Sequence, residues 1–162
     1  MRTLFITLFT MLTLHTYAQE KKITKKHFWH TVETSAGADK IWAIWTDVPQ
    51  WKTWDTGLKE ASMDVPFGLH AKGRILSLED RKSTFKIVSF EPGVSYTFKT
   101  KLPLGGLFVK RFLVIKNGRT YFTHEVWFSG LSGGIFANIF GKKFKDMLPE
   151  VMDNVKKIAE KP

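Results

Sequence analysis

Residues 135–158 read IFANIFGKKFKDMLPEVMDNVKKI. Apolar side chains fall at Ile135, Phe136, Ile139, Phe140, Phe144, Met147, Leu148, Val151, Val155 and Ile158. Intervals of three and four put them on one face of a helix about six turns long. Lys142, Lys143, Lys145, Asp146, Asp153, Lys156 and Lys157 then fall on the other face. Pro149 lacks an N–H and crowds the carbonyl four residues earlier, so a kink or break is expected near the middle. An apolar stripe of this length needs a partner surface of similar extent, which the preceding chain must supply.

That surface is legible between Gly57 and Gly130, a stretch of strands and turns. Residues 71–78 alternate, with Lys72 and Arg74 outward and Gly73, Ile75 and Ser77 inward. In STFKIVSF (83–90), Thr84 and Lys86 point to water and Phe85 and Ile87 inward, and in VSYTFKT (94–100), Tyr96 and Phe98 share a face opposite Thr97 and Lys99. Glu91-Pro92-Gly93 is a turn, and Asn117-Gly118 is a two-residue hairpin signal, since both residues accept positive φ. In LFVKRFLVIK (107–116) and YFTHEVWFSG (121–130) both parities carry apolar residues, so alternation leaves their faces open.

Before this run, FWHTVET (28–34) is strand-like. Ser35 is an expected N-cap and Asp39 sits where the helix dipole favours an acid. ADKIWAIWTD (38–47) has helical apolar spacing up to Pro49, and a second short helix or turn holds Trp51 and Trp54. The order is strand, two short helices, about six antiparallel strands and one long helix. The fold class is α+β: a curved antiparallel sheet wrapped around the C-terminal helix, with a cavity between them if the sheet curls.

VETSAGADKIWAIWTDVPQWKTWD (32–55), FEPGVSYTFKT (90–100) and the segment from Gly118 to Lys161 resemble one family. It is the START-like, polyketide cyclase/dehydrase and lipid-transport superfamily (SRPBCC), which shares the helix-grip fold of the birch pollen allergen. The matching positions include Trp42, Thr46, Asp47, Trp51 and Trp54. Gly37 stands where relatives usually carry Pro. The resemblance spans nearly all of residues 27–161. It implies a helix-grip domain over 27–162 and a role in binding hydrophobic molecules, with aromatases and cyclases among the relatives.

The N-terminus reads differently from the rest. Arg2 is followed by LFITLFTMLTL (4–14), then by Thr16 and Ala18 as a small-residue pair. Eleven residues span about 16 Å as a helix, too short for a bilayer core of about 30 Å. Residues 1–19 are therefore expected to be a secretory signal peptide and 20–26 a flexible leader, which makes the protein periplasmic or secreted. Cleavage leaves roughly 140 residues, one domain of ordinary size. The chain has no cysteine, so neither disulfides nor a lipid anchor on cysteine are available.

A formal net charge of +10 suits anionic surroundings, although the lysines are spread along the chain, and no nucleic-acid partner is expected of an exported protein. Aromatic residues make up 14%, enough to fill a core or line a cavity. No nucleophile elbow, phosphate loop or metal-binding histidine spacing occurs, so no metal and no cofactor is expected. His124 and Glu125 interrupt an aromatic strand on opposite faces. Facing inward, His124 could bond a ligand or serve as acid or base; otherwise it is a mouth residue satisfied by solvent. Arg111, if inward, would pair an acidic ligand group or Glu125. The expected pocket comprises Ile75, Phe85, Ile87, Tyr96 and Phe98, with Phe112, His124, Phe140 and Phe144. The expected partner is a hydrophobic or amphipathic small molecule. A cyclase-like enzyme and a lipid carrier making peripheral contact with anionic membrane are the alternatives.

Overall fold

The computed structural model describes residues 22–161. The expected signal peptide, residues 1–19, lies outside the described residues.

Strand β1 (His27–Thr34) leads into helix α1 (Ala38–Thr46) and a 3-10 turn (Val48–Thr53). Six strands follow: β2 (Leu58–Met63), β3 (Lys72–Ser77), β4 (Lys82–Glu91), β5 (Ser95–Leu102), β6 (Gly105–Lys116) and β7 (Arg119–Gly130). The C-terminal helix comprises α2 (Gly133–Phe136), a π-helical segment (Ala137–Gly141) and α3 (Lys142–Ala159). The sheet has seven antiparallel strands in the order β1-β7-β6-β5-β4-β3-β2. The chain thus leaves β1 at one edge, crosses through α1 and the 3-10 turn, and returns as β2 at the other edge.

Alternation works as expected on β3, β4 and β5. Between Ile87 and Ser89 a bulge shifts the β4–β5 register, so that Phe90 rather than Ser89 pairs with inward Tyr96. The extra residue bends the strand and helps curl the sheet. The hairpin joining β6 and β7 turns at Asn117 and Gly118, both with positive φ (52° and 72°).

Two local expectations give way to tertiary contacts. The helix runs through Pro149 unbroken, and its irregularity is the π segment, which ends more than two turns earlier, at Gly141. Pro149 and Lys145, whose carbonyl loses its donor, are both exposed, so solvent can satisfy that carbonyl. Ser35 does not cap α1, whose N-cap is Gly37. Its N–H and hydroxyl instead donate to the Glu160 carboxylate (3.1 and 3.3 Å), as does the Thr34 hydroxyl (2.7 Å). One carboxylate with three donors ties the end of β1 to the end of α3. The leader is held from Thr24, whose hydroxyl accepts from the Lys26 and His27 N–H groups, while the Lys26 carbonyl accepts from the Phe128 N–H.

Candidate ligand-binding site

Strand register assigns the inner face of β6 and β7. Leu107, Val109, Arg111 and Leu113 point inward on β6, opposite Phe128, Val126, His124 and Phe122 on β7. The inner face is not evenly covered. On β5, exposure falls from half-buried Leu102 through Thr100 and Phe98 to fully buried Tyr96, and on β6 from half-buried Leu107 to Arg111 at 1%. One end of the interior is closed. There Trp45, Trp51, Trp54, Phe122, Ile41, Met152 and Val155 fill the space between sheet and helix. The other end is partly open: Ile75, Leu102 and Leu107 on the sheet and Phe136, Phe140 and Phe144 on the helix are only half-buried. These three rings stack in a row, 6.1 and 6.0 Å between centroids, and the Arg81 guanidinium lies 4.9 Å from the Phe140 ring.

A polar cluster lies on the closed side of this gradient. The Arg111 guanidinium stands 4.7 Å from the ring centres of both Trp51 and Trp54 and 5.6 Å from Phe98. Desolvated cation–π contacts of this kind are worth about 2 kcal/mol. Arg111 donates to the Tyr96 hydroxyl at 2.6 Å, and that hydroxyl donates to the Trp45 carbonyl at 3.0 Å. The Trp51 indole N–H donates to the same carbonyl at 2.9 Å. Asp55 lies near enough to feel this charge. Burial pushes the Asp55 carboxyl above its usual range, while a bond from the Gly57 N–H (3.0 Å) and the nearby Arg111 charge pull it back.

His124, the Cα partner of Arg111 across β6–β7 and of His30 across β1–β7, is buried. Burial, and secondarily the Arg111 charge, hold its imidazole well below the ordinary value of 6.5, so it is neutral at pH 7. Five buried polar atoms in this region have no hydrogen-bond partner among the described residues: Arg111 Nε, His124 Nδ1, Trp45 Nε1, Trp54 Nε1 and Thr56 Oγ1. Buried polar groups are normally satisfied, so five orphans in one region demand an explanation.

Of the pocket residues expected from sequence, Phe85, Ile87, Tyr96, Phe98 and His124 lie in the closed interior, and Ile75, Phe140 and Phe144 at the open end. Phe112 is the exception. The parity that brings Arg111 and Leu113 inward turns Phe112 to the outer face, where Lys110 lies 5.3 Å from its ring. Glu125 also faces outward and meets the His27 ring at 2.6 Å, so it is not the partner of Arg111. Asp55, whose carboxyl feels the Arg111 charge, carries no sequence signal beyond lying next to Trp54.

Two surface concavities lie mainly on the outer face, the larger of them reaching Leu102 and Leu104 at the hairpin tip. One of about 520 Å³ is lined by His27, Lys110, Glu125 and Trp127. Another of about 800 Å³ is lined by Lys72, Arg74, Lys86, Lys99 and Lys101 and touches Phe85. Neither includes Tyr96, Arg111 or His124. Among the described residues no group of three or more potential ligands could hold a metal ion.

A curled seven-stranded sheet gripping a long C-terminal helix, with a polar cluster inside, can be set against known proteins. The model of one family, described as polyketide cyclase / dehydrase and lipid transport, matches residues 25–160. The chain belongs to that family. Family members bind hydrophobic ligands in general, and the fold seen here is the helix-grip type expected. No curated protein matches the chain. Solved structures are similar at low identity. A protein from Arthrobacter aurescens, solved by NMR, shares 17% identity over 88% of this chain and 91% of its own, with a TM-score of 0.65. A hypothetical protein from Helicobacter pylori shares 10% over 85% and 89%, with a TM-score of 0.68. Norcoclaurine synthase from Thalictrum flavum shares 12% over 85% and 94%, with a TM-score of 0.64. At such identities the likeness concerns the fold alone.

Proposed function

We propose that this family member binds an amphipathic small molecule whose apolar body occupies the open end and whose acidic or polar head reaches the Arg111 cluster. The observation that carries this reading is the set of orphaned polar atoms around a buried guanidinium. A head group would satisfy Arg111 Nε and His124 Nδ1, which have no partner among the described residues, and a charged hydrogen bond there is worth about 1.5–3 kcal/mol. From Leu107 to Arg111 is four residues, about 13 Å along a strand, which sets the ligand's length. Entry passes Val109 and Phe98, so binding moves side chains of the inner face. Molecules of this general size suit the fold, since norcoclaurine synthase from Thalictrum flavum is solved in complex with dopamine and hydroxybenzaldehyde.

The test compares a fatty acid with the alcohol of the same chain length. The acid should bind the unmodified protein about tenfold or more tightly. Equal affinities would remove Arg111 from the site, and no binding by either would end the ligand-binding reading. A second reading, a cyclase-like reaction, draws on the neutral His124 imidazole as proton acceptor. In that case His124→Ala should keep binding and lose turnover by roughly a hundredfold.

Export belongs to the same proposal. Its support is the apolar run 4–14 and the Thr16/Ala18 pair, and N-terminal sequencing of the native protein should begin near Gln19 or Glu20. A mature chain that still starts at Met1 would refute it.

A further inference from the structure

Four large apolar side chains stand in solvent at one end of the molecule: Leu104 (77% exposed), Leu131 (88%), Ile135 (62%) and Ile139 (60%). Leu104 is the tip of the β5–β6 hairpin, and the others belong to the entry of the C-terminal helix, where Ile135 and Ile139 share a face. The two segments are fastened together. The Ser132 hydroxyl donates to the Pro103 carbonyl, and Gly105 pairs with Gly130. A Cβ at Gly130 would collide with the Leu104 carbonyl oxygen, and its φ of 85° favours glycine as well. The apolar tip is therefore a fixed feature.

Leu104 is unfavourable twice over. Its side chain is in water, and its φ of 55° is left-handed, a region that glycine or asparagine usually occupies. A leucine retained at both costs is explained by a partner that takes it out of water. Charge selects the partner. Arg111 is buried and Lys116 and Arg119 lie at the far end of the β6–β7 hairpin, so the cations beside the tip are Lys26, Lys99 (whose side chain passes Gly106), Lys101 and Lys142. Lys101 is exposed beside the hairpin tip, the Lys26 side chain runs past Gly133, and Lys142 stands exposed one turn beyond Ile139, in an ion pair with Asp146. Apolar residues ringed by lysines match the acyl boundary and headgroups of an anionic bilayer. The same ring sets two copies of the chain against each other.

We infer that this end of the molecule docks on anionic phospholipid bilayers, inserting Leu104, Leu131, Ile135 and Ile139 while the surrounding lysines meet the headgroups. Docking stands on these observations alone; its consequence rests on the ligand-binding reading. Leu102 and Leu107, which flank the hairpin tip, and Phe136 and Phe140, which follow Leu131, are the half-buried residues of the open end. A docked molecule would exchange its ligand directly with the bilayer.

The test is co-sedimentation with vesicles of phosphatidylcholine, with and without phosphatidylglycerol. It uses the chain without residues 1–19, whose apolar run would bind lipid by itself; the fold is complete within residues 22–161. Binding should require phosphatidylglycerol. Leu104→Gly should weaken it roughly tenfold, the worth of one leucine taken out of water, while the melting temperature stays the same or rises because the strained φ is relieved. Leu131→Asn should act likewise. Fatty-acid binding by Leu104→Gly in solution should be unchanged, which separates failure of docking from failure of the ligand site. No vesicle binding, or equal binding by the parent and both variants, would overturn the inference. So would a dimer in sedimentation equilibrium that Leu104→Gly dissolves, since the tip would then be an interface between copies.

Discussion

The two ends of the interior are built from the same materials and do different things. At the closed end, aromatic rings meet at many angles. Trp51 stacks on Phe85 and Phe98 at 26° and 29°, while Trp45 meets Tyr96 and Phe122 at 88° and 69°. Such mixed geometry fills volume in three dimensions and fixes Arg111 among the rings. At the open end, Phe136, Phe140 and Phe144 lie in one near-parallel row, 14° and 15° from one another, with the Arg81 guanidinium against the Phe140 ring. The first arrangement is buried and the second only half-buried.

Removing the cation at the closed end should have the largest effect. Arg111→Met removes the cation–π contacts with Trp51 and Trp54 and the bond to the Tyr96 hydroxyl, and urea denaturation should show a loss of about 3–5 kcal/mol. Adding Asp55→Asn should restore part of it, because the two groups compensate each other. A loss no larger than that of a surface substitution would mean that the closed end does not depend on this charge.

The next test sets the ends against each other. Met152→Ala, fully buried, should cost about 2–5 kcal/mol and leave dye binding intact. Phe140→Ala, half-buried, should cost about 1 kcal/mol and weaken dye binding more than Met152→Ala does. The reverse pattern would erase the distinction between the two ends.

The smallest effect is a pH dependence. His124 takes up a proton less readily in the fold than in the unfolded chain, so below the ordinary value of 6.5 the unfolded state binds more protons. Stability should fall as pH drops from 6.5 toward the lowered folded value, by at most about 1.4 kcal/mol per pH unit from this group. Asp55 has the opposite sign. Its raised carboxyl costs stability as pH rises above the ordinary 3.8, so acidification relieves it and offsets part of the His124 term at the acid end. Melting temperatures between pH 7.5 and 5 should show the decline in the parent protein, and His124→Phe should flatten it.

Legibility followed the period of the pattern. Phe85, Ile87, Tyr96 and Phe98 alternate with polar residues, so their inward direction could be read directly. β6 and β7 could not be read this way because their outer face is apolar too. Phe108 and Trp127 stack there, 5.1 Å apart and 5° from parallel, and Phe112 lies on the same face farther along β6. Only hydrogen-bonded register, with Arg111 opposite His124, separates the faces. Asp55 was invisible for a different reason: its role depends on a guanidinium more than fifty residues away.

Periodicity, turn residues and the order of elements determined the helix-grip architecture from sequence alone, because each depends on neighbours within one turn or one strand. Tertiary structure decided what that architecture encloses. Whether a buried arginine lies nearer Asp55 or Glu125, whether the interior is fully or half buried at each end, and whether Leu104 and Leu131 share a surface all depend on strand register and sheet curl. Those bring together side chains far apart in the chain, and no local pattern of spacing records their meeting.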